Sequence, residues 1–100
     1  MLKARFFIDD MFIITGRGLV FVGHILEGEI RKGNYVEFEY DKQLIKKKII
    51  GIEFTRHSIH SEGRYDLNNI GIMIECEDEK EMKSISESGL KRIEASVFEK

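Results

Sequence analysis

The chain has 100 residues, of which 42% are hydrophobic, and its formal net charge at pH 7 is -2. This length suits one domain with one core, so we expect residues 1–100 to form a single domain. The slightly negative net charge argues against a protein that coats nucleic acid, because such proteins bind phosphates through clustered Lys and Arg. No apolar run approaches the about 18 residues of a membrane span, and residues 1–10 lack the pattern of a signal peptide. We therefore expect a cytoplasmic protein without membrane contact.

The first half of the chain consists of β-rich runs separated by glycine-containing turns, a pattern typical of a sandwich or a small barrel. The first run has apolar residues in alternation at Ala4, Phe6 and Ile8, and then at Phe12 and Ile14. Gly16 and Gly18, on either side of Arg17, permit positive φ and predict a tight turn. Leu19–Leu26 is a long apolar run that ends at residues 27–29.

The second half shows the same period of two. Its predicted core faces are Val36, Phe38 and Tyr40, then Ile50, Ile52 and Phe54, and then Ile70, Ile72, Ile74 and Cys76. Side chains two apart in a strand share one side of the sheet, so each run predicts one buried face. Asp78–Ser86 predicts a short helix with Met82 and Ile85 on one face, and the alternation in Lys91–Phe98 predicts a closing strand. We therefore predict an all-β fold, a small closed antiparallel Greek-key barrel of about six or seven strands with one short helix near the C-terminus.

No pattern of residues predicts an enzyme site, and we expect no catalysis, cofactor or metal. His57 and His60 would either bind a metal or lie in a solvated loop, and the second interpretation is favoured. We interpret His24 as a strand-face residue and Cys76 as a buried, unreactive thiol, which as the one cysteine also excludes an intrachain disulfide. Gly16-x-Gly18 is not followed by the Lys-Ser/Thr of a phosphate loop, so we expect the chain not to bind GTP.

Lys46–Lys48 carries three adjacent positive charges. These lysines would either contact phosphates or form a charged hairpin end or a lysine-blunted sheet edge, and the second interpretation is favoured. An acidic stretch near the helix predicts a solvated surface, and its members are Glu75, Glu77, Asp78, Glu79 and Glu81.

The stretch FIITGRGLVFVGHILEGEIRKGNYVEF, Phe12–Phe38, contains an Ile-x-Gly-Arg-Gly turn, a Val-containing strand, a Gly and a second glycine turn before Val36. It resembles the segment that opens the second, β-barrel domain of elongation factor Tu and related translational GTPases. Ile50-Gly51-Ile52-Glu53 and Asn69-Ile70-Gly71-Ile72 are similar to later strands of that domain. In element order, the resemblance covers roughly residues 4–98.

The chain departs from the family pattern at several places. The family has Gly-Asp or Gly-Glu before the Asn, whereas this sequence has Leu67-Asn68, and the segment Thr55–Tyr65 is slightly longer. The family's GTPase domain and third barrel have no counterpart in these 100 residues. The resemblance therefore implies no GTP hydrolysis.

In the family, this barrel forms a pocket for the terminal adenosine and aminoacyl ester of charged tRNA. The resemblance implies apolar walls, an acid beside the adenosine, a basic residue near the ester and an amide that contacts the backbone. The matching positions are Ile14, Val20 and Met73 for the walls, Glu53 for the acid, Arg56 for the basic residue and Asn69 for the amide. The alternative is that these are ordinary strand and turn residues. The implied function is a non-enzymatic module that binds an RNA 3′ end, such as aminoacyl-tRNA, or a ribosomal surface; the alternative is a protein–protein interaction module with an unidentified partner.

Overall fold

The computed structural model describes residues 2–54, 69–89 and 92–99. Within these ranges the chain forms six strands and one helix. In chain order they are β1 (Leu2–Ile14), β2 (Gly18–Gly28), β3 (Tyr35–Tyr40), β4 (Gln43–Phe54), β5 (Asn69–Ile74), α1 (Glu79–Ser86) and β6 (Ile93–Phe98). The segment Thr55–Tyr65, with His57 and His60, and the pair Leu67-Asn68 lie outside the described residues.

The strands close into an antiparallel barrel in the order β1-β2-β5-β4-β3-β6. Strands β3, β4 and β5 are sequential neighbours and β2 lies beside β5, which is a Greek-key arrangement. β6 pairs with both β1 and β3 and so completes the barrel. The predicted all-β barrel with one short helix is therefore confirmed, as is the pairing of the last strand with the first.

One apolar cluster fills the interior of the barrel. Its buried members are Ala4, Phe6, Ile8, Met11, Leu19, Phe21, Ile30, Val36, Phe38, Ile49, Ile70, Ile72, Ile74, Ile85, Ala95 and Val97. The rings of Phe21 and Phe38 meet edge to face with their centroids 5.0 Å apart, a geometry that the ring quadrupoles favour. The core faces predicted for β3, β5 and β6 are confirmed by this cluster.

A β-bulge in β1 changes which residues face the core. The pairing of β1 with β2 shifts between Ile8 and Asp10, so one extra residue is inserted. Met11 is therefore the next inward residue and is 7% exposed, whereas Phe12 is 47% exposed. The prediction that Phe12 and Ile14 continue the core face is wrong, because strict alternation takes no account of the inserted residue.

A second bulge, in β4, has the same effect. The pairing of β4 with β5 shifts between Ile49 and Gly51. Ile49 is fully buried, while Ile50 is half-buried, so the prediction that Ile50 is a core residue is wrong. Ile52 packs against the core as predicted, and the side chain of Phe54 lies outside the described part of the structure.

The helix α1 lies where the sequence predicts it. Asp78 caps its N-terminus, because its carboxylate accepts a hydrogen bond from the Glu81 amide at 2.8 Å. Ile85 is fully buried and Met82 packs against the core, so the predicted apolar face is confirmed. No helix in the described ranges has the length and apolar character that crossing a membrane requires.

Two polar contacts join α1 to the β3–β4 hairpin. Lys47 donates to the Glu81 carboxylate, and Tyr40 shares a hydrogen bond with Ser84. Burial alone would raise the pKa of Glu81, but the hydrogen bonds from Lys47 and from the Glu77 amide outweigh it and lower that pKa. Glu81 is therefore held as a carboxylate that fixes the helix against β4.

Lys46–Lys48 lies inside β4 and not at a hairpin end. These lysines pair with β3, and the hairpin turn lies further along, at Asp41 and Lys42. Pairing of β4 with β5 begins at Ile49, and the Lys48 carbonyl still accepts a hydrogen bond from the Glu75 amide at 2.9 Å. Lys46 and Lys47 therefore occupy the part of β4 that extends past β5. The hairpin-end interpretation is wrong, whereas a position on a partly unpaired strand agrees with the sheet-edge interpretation.

The turn between β1 and β2 depends on Gly16, whose φ is +79°. A Cβ there would meet no atom within 4 Å. A side chain at this position would therefore lower stability through its backbone conformation and not through a steric clash. We expect Gly16→Val to destabilise the domain by about 1–3 kcal/mol in urea unfolding, because a β-branched residue tolerates this region poorly. Gly16→Asn is the control, since Asn enters the left-handed region more readily. Equal losses in the two variants would contradict a conformational cause.

Candidate functional site

Four neighbouring strands form one exterior face of the barrel. Phe12 of β1 pairs with Val20 of β2, and Val20 pairs with Met73 of β5. Met73 in turn pairs with Gly51 of β4, so these four positions form one row across the sheet. Leu19 is buried in the core, and Val20, the next residue, therefore points outward. We call the exterior of β1, β2, β5 and β4 the outer face.

Glu53 lies on the outer face one row away from Met73. It pairs with Gly71 of β5, which pairs with Val22 of β2. Its side chain is exposed, as a carboxylate at the rim of a site must be to reach a ligand.

Glycines determine the shape of the outer face around Val20 and Met73. A Cβ on Gly71 would lie 3.2 Å from Cγ1 of Val20, and one on Gly18 would lie 3.4 Å from Cγ of Met73. A Cβ on Gly51 would lie 3.6 Å from Cβ of Met73. The two apolar side chains thus lie over the glycine positions, and Val20 is only 6% exposed although it points outward. Of the two side chains, Met73 is the more exposed.

Ile14 pairs with Gly18 at the end of the outer face nearest the β1–β2 turn. It is half-buried. The register thereby brings together on one face the predicted residues Ile14, Val20, Glu53 and Met73.

The two remaining predicted residues are less fully defined. Asn69 is the first residue of β5 and pairs with His24, so its backbone lies in the row beyond Gly71. Arg56 lies outside the described residues, and its role near an ester stays a prediction.

His24 occupies the same row as Asn69 on β2. Its Nδ1 lies 3.2 Å from the Asp9 carboxylate, and its ring centroid lies 5.3 Å from that of Phe7. Asp9 is the residue inserted by the β1 bulge, and this places its carboxylate beside the histidine. The interpretation of His24 as a strand-face residue is confirmed.

Phe12 belongs to the outer face, although the alternation of apolar residues in the sequence assigns it to the core. It lies in the row of Val20 and Met73 and presents a half-exposed ring beside them. The polar pair Asp9-Asp10, which interrupts the apolar alternation of the strand, is the sequence signal that could have revealed the bulge and hence this residue.

A groove of about 650 Å³ opens between the β1–β2 turn and α1. It shares Ile14 and Gly18 with the outer face, and the apolar Ile13 and Met82 also line it. Its charged lining residues have both signs and are Arg17, Lys83, Glu79 and Glu87.

The chemistry of the described residues gives no sign of a metal centre. No three His, Cys, Asp or Glu side chains among them are placed to hold a metal ion, and the metal interpretation of His57 and His60 stays untested. Cys76, two residues after the end of β5, is half-buried against the core rather than fully buried. Burial raises the pKa of its thiol, and the Glu81 carboxylate acts in the same direction.

No protein-family model matches the chain. Its assignment to a function therefore depends on the residues of the outer face and on the resemblance of its motifs.

Proposed function

We propose that the chain is a non-enzymatic binding module whose outer face takes the 3′ end of an RNA. The observation that carries this proposal is the pairing of β1, β2, β5 and β4. It gathers Ile14, Val20, Met73 and Glu53, which come from four different strands, on one side of the barrel. Strand alternation alone would allow each of these residues to face either way, so their common orientation supports a shared ligand.

The outer face offers the two kinds of contact that a nucleobase needs. Met73 is half-buried and can contact the flat side of a base, whereas Val20, which pairs with it, is only 6% exposed and adds little contact area. Glu53 can accept a hydrogen bond from an exocyclic amino group at the edge of the base. Phe12 adds a ring in the same row, and stacking on an aromatic ring contributes about 1–3 kcal/mol per base. A carboxylate at the rim indicates recognition of the base rather than of a phosphate.

We expect a short single-stranded RNA that ends in CCA, preferably aminoacylated, to bind with Kd on the order of 0.1–1 mM. Glu53→Ala should weaken this binding about tenfold, because a hydrogen bond to a charged group is lost. Glu39→Ala is the matched control, since Glu39 is also exposed but lies on β3, outside the outer face. Fluorescence anisotropy with a labelled RNA measures both variants. Equal affinities for them would exclude Glu53 from the site.

The second candidate function is a protein–protein interaction, and the groove beside α1 favours it. Ile13 is 40% exposed there, and an apolar floor between charged residues is typical of a surface that binds a partner. In that case the CCA-ending RNA would leave the outer face unperturbed, and Ile13→Lys would abolish association with the partner protein.

A further inference from the structure

The groove beside α1 is bordered on one side by a strand edge. The Arg17 amide donates to the Ile14 carbonyl at 2.9 Å, so this carbonyl is directed into the β1–β2 turn. Backbone groups of successive residues in an antiparallel strand point to opposite sides, and those of Ile13 therefore point away from β2. On that side β6 pairs with β1 only as far as Ile8. The amide and carbonyl of Ile13 thus face no strand within the described ranges.

Three consecutive apolar residues lie along the same edge. Phe12 and Ile13 are exposed, and Ile14 is half-buried. Ile13 lines the groove together with Met82, whereas Phe12 lies on the outer face. An unpaired edge with exposed apolar side chains is a template for pairing with another strand, so we expect a partner strand at this position.

The charges of the groove balance one another. Arg17 and Lys83 are basic, Glu79 and Glu87 are acidic, and all four are exposed. None of the four forms an ion pair with another described residue. A lining with equal numbers of both signs attracts neither a polyanion nor a polycation, but it is complementary to a second surface of the same kind. A two-fold dimer requires this property, because the same patch must fit itself.

We propose that two copies of the chain pair through their β1 edges, with the β1–β2 turn of each copy in the groove of the other. The two-fold axis passes beside Ile13, so that the amide of each Ile13 donates to the Ile13 carbonyl of the other copy. In this antiparallel register Phe12 lies opposite Ile14 of the other copy, and this covers its exposed ring. The dimer gives the second candidate function its partner, and it does not depend on RNA binding.

The same register brings Arg17 of one copy near Glu87 of the other. The turn of the second copy extends along β1 towards the start of β6. Glu87 directly follows α1, and the chain then returns to β6, so its carboxylate lies at this end of the groove. Asp9 and Asp10 in the β1 bulge add negative charge there, and Arg92 adds one opposing positive charge. Because the carboxylates outnumber Arg92, the location favours Arg17.

Sedimentation velocity at chain concentrations from about 10 µM to about 1 mM tests the dimer. We expect the weight-average mass to rise from the 11.7 kDa of one chain towards twice that value, with Kd on the order of 10–100 µM. Ile13→Lys should raise this Kd at least about tenfold, because the two new charges lie opposite each other across the axis. Leu44→Lys is the matched control, since Leu44 is an exposed residue of β4 that does not line the groove. It should leave Kd unchanged, and circular dichroism shows whether both variants fold.

An exchange of charges tests the orientation of the two copies. Arg17→Glu and Glu87→Arg should each weaken association about fivefold, and the chain with both substitutions should recover most of the affinity. In the unsubstituted chain, hydrogen exchange at the Ile13 amide should slow as the concentration rises, because pairing protects that amide.

Three outcomes would overturn the proposal. They are a chain that stays monomeric at about 1 mM, equal effects of Ile13→Lys and Leu44→Lys, and no recovery in the chain with both charge substitutions. A monomeric chain would leave the groove to a different protein, so the dimer and the second candidate function fail separately.

Discussion

Gly23→Ala should cost the barrel about 3 kcal/mol or more of its stability, a large part of the total for a small domain. A Cβ on Gly23 would lie 1.8 Å from the carbonyl oxygen of Phe7 and 3.1 Å from the ring of Phe6. The nearest obstacle is the backbone of β1, which cannot move aside as a flexible side chain would. Strands β1 and β2 would have to separate, and thermal and urea unfolding followed by circular dichroism measure the loss.

Gly51→Ala is the matched control for this variant. Both glycines lie inside strands, so the change in intrinsic strand preference is similar. A Cβ on Gly51 would make only an ordinary contact with Cβ of Met73, at 3.6 Å. We expect a stability change within about 0.5 kcal/mol. Similar stabilities for Gly23→Ala and Gly51→Ala would contradict the close approach of β1 and β2.

Phe21→Ala should destabilise the barrel by about 3–5 kcal/mol, because it removes a large buried side chain and leaves a cavity. Phe21 is fully buried and meets the Phe38 ring edge to face. Phe12→Ala makes the same chemical change on the half-exposed ring of the outer face. We expect it to cost less than about 1 kcal/mol, and to weaken RNA binding.

The pair of phenylalanine variants also tests the β1 bulge. Alternation in the sequence assigns Phe12 to the core, whereas the structure assigns Met11 to it. Equal losses of stability from Phe12→Ala and Phe21→Ala would contradict the bulge and support uninterrupted alternation along β1.

How well the sequence predicts the buried residues differs from strand to strand. In β5 and β6 the apolar period of two continues without interruption, and it correctly predicts the buried residues. In β1 and β4 a bulge inserts one residue, at Asp9 and Ile50. A bulge is set by pairing with the neighbouring strand, which local sequence encodes only weakly, and one inserted residue reverses the face of every residue after it.

The residues of the candidate site were also predicted only in part. Motif resemblance identified Val20, Met73 and Glu53, and the register places them on one face. Phe12 was missed because of the bulge that precedes it. The placement of the lysines was also missed, because three adjacent lysines suggest one charged patch until the strand that carries them is known. Pairing of β3 with β6 then brings Tyr35 and Phe98 beside two of those lysines, a contact between strands that no local pattern contains.

Chemical-shift perturbation of the isotopically labelled chain, titrated with an aminoacylated trinucleotide that ends in CCA, tests the 3′-end site most directly. A trinucleotide is short enough to occupy the outer face without extending far along β4. We expect the largest shifts at the amides of Ile14, Val20, Glu53 and Asn69, with smaller shifts for the same RNA when it is not aminoacylated. Shifts confined to Lys46–Lys48, or no shifts at millimolar RNA, would contradict a 3′-end site on the outer face.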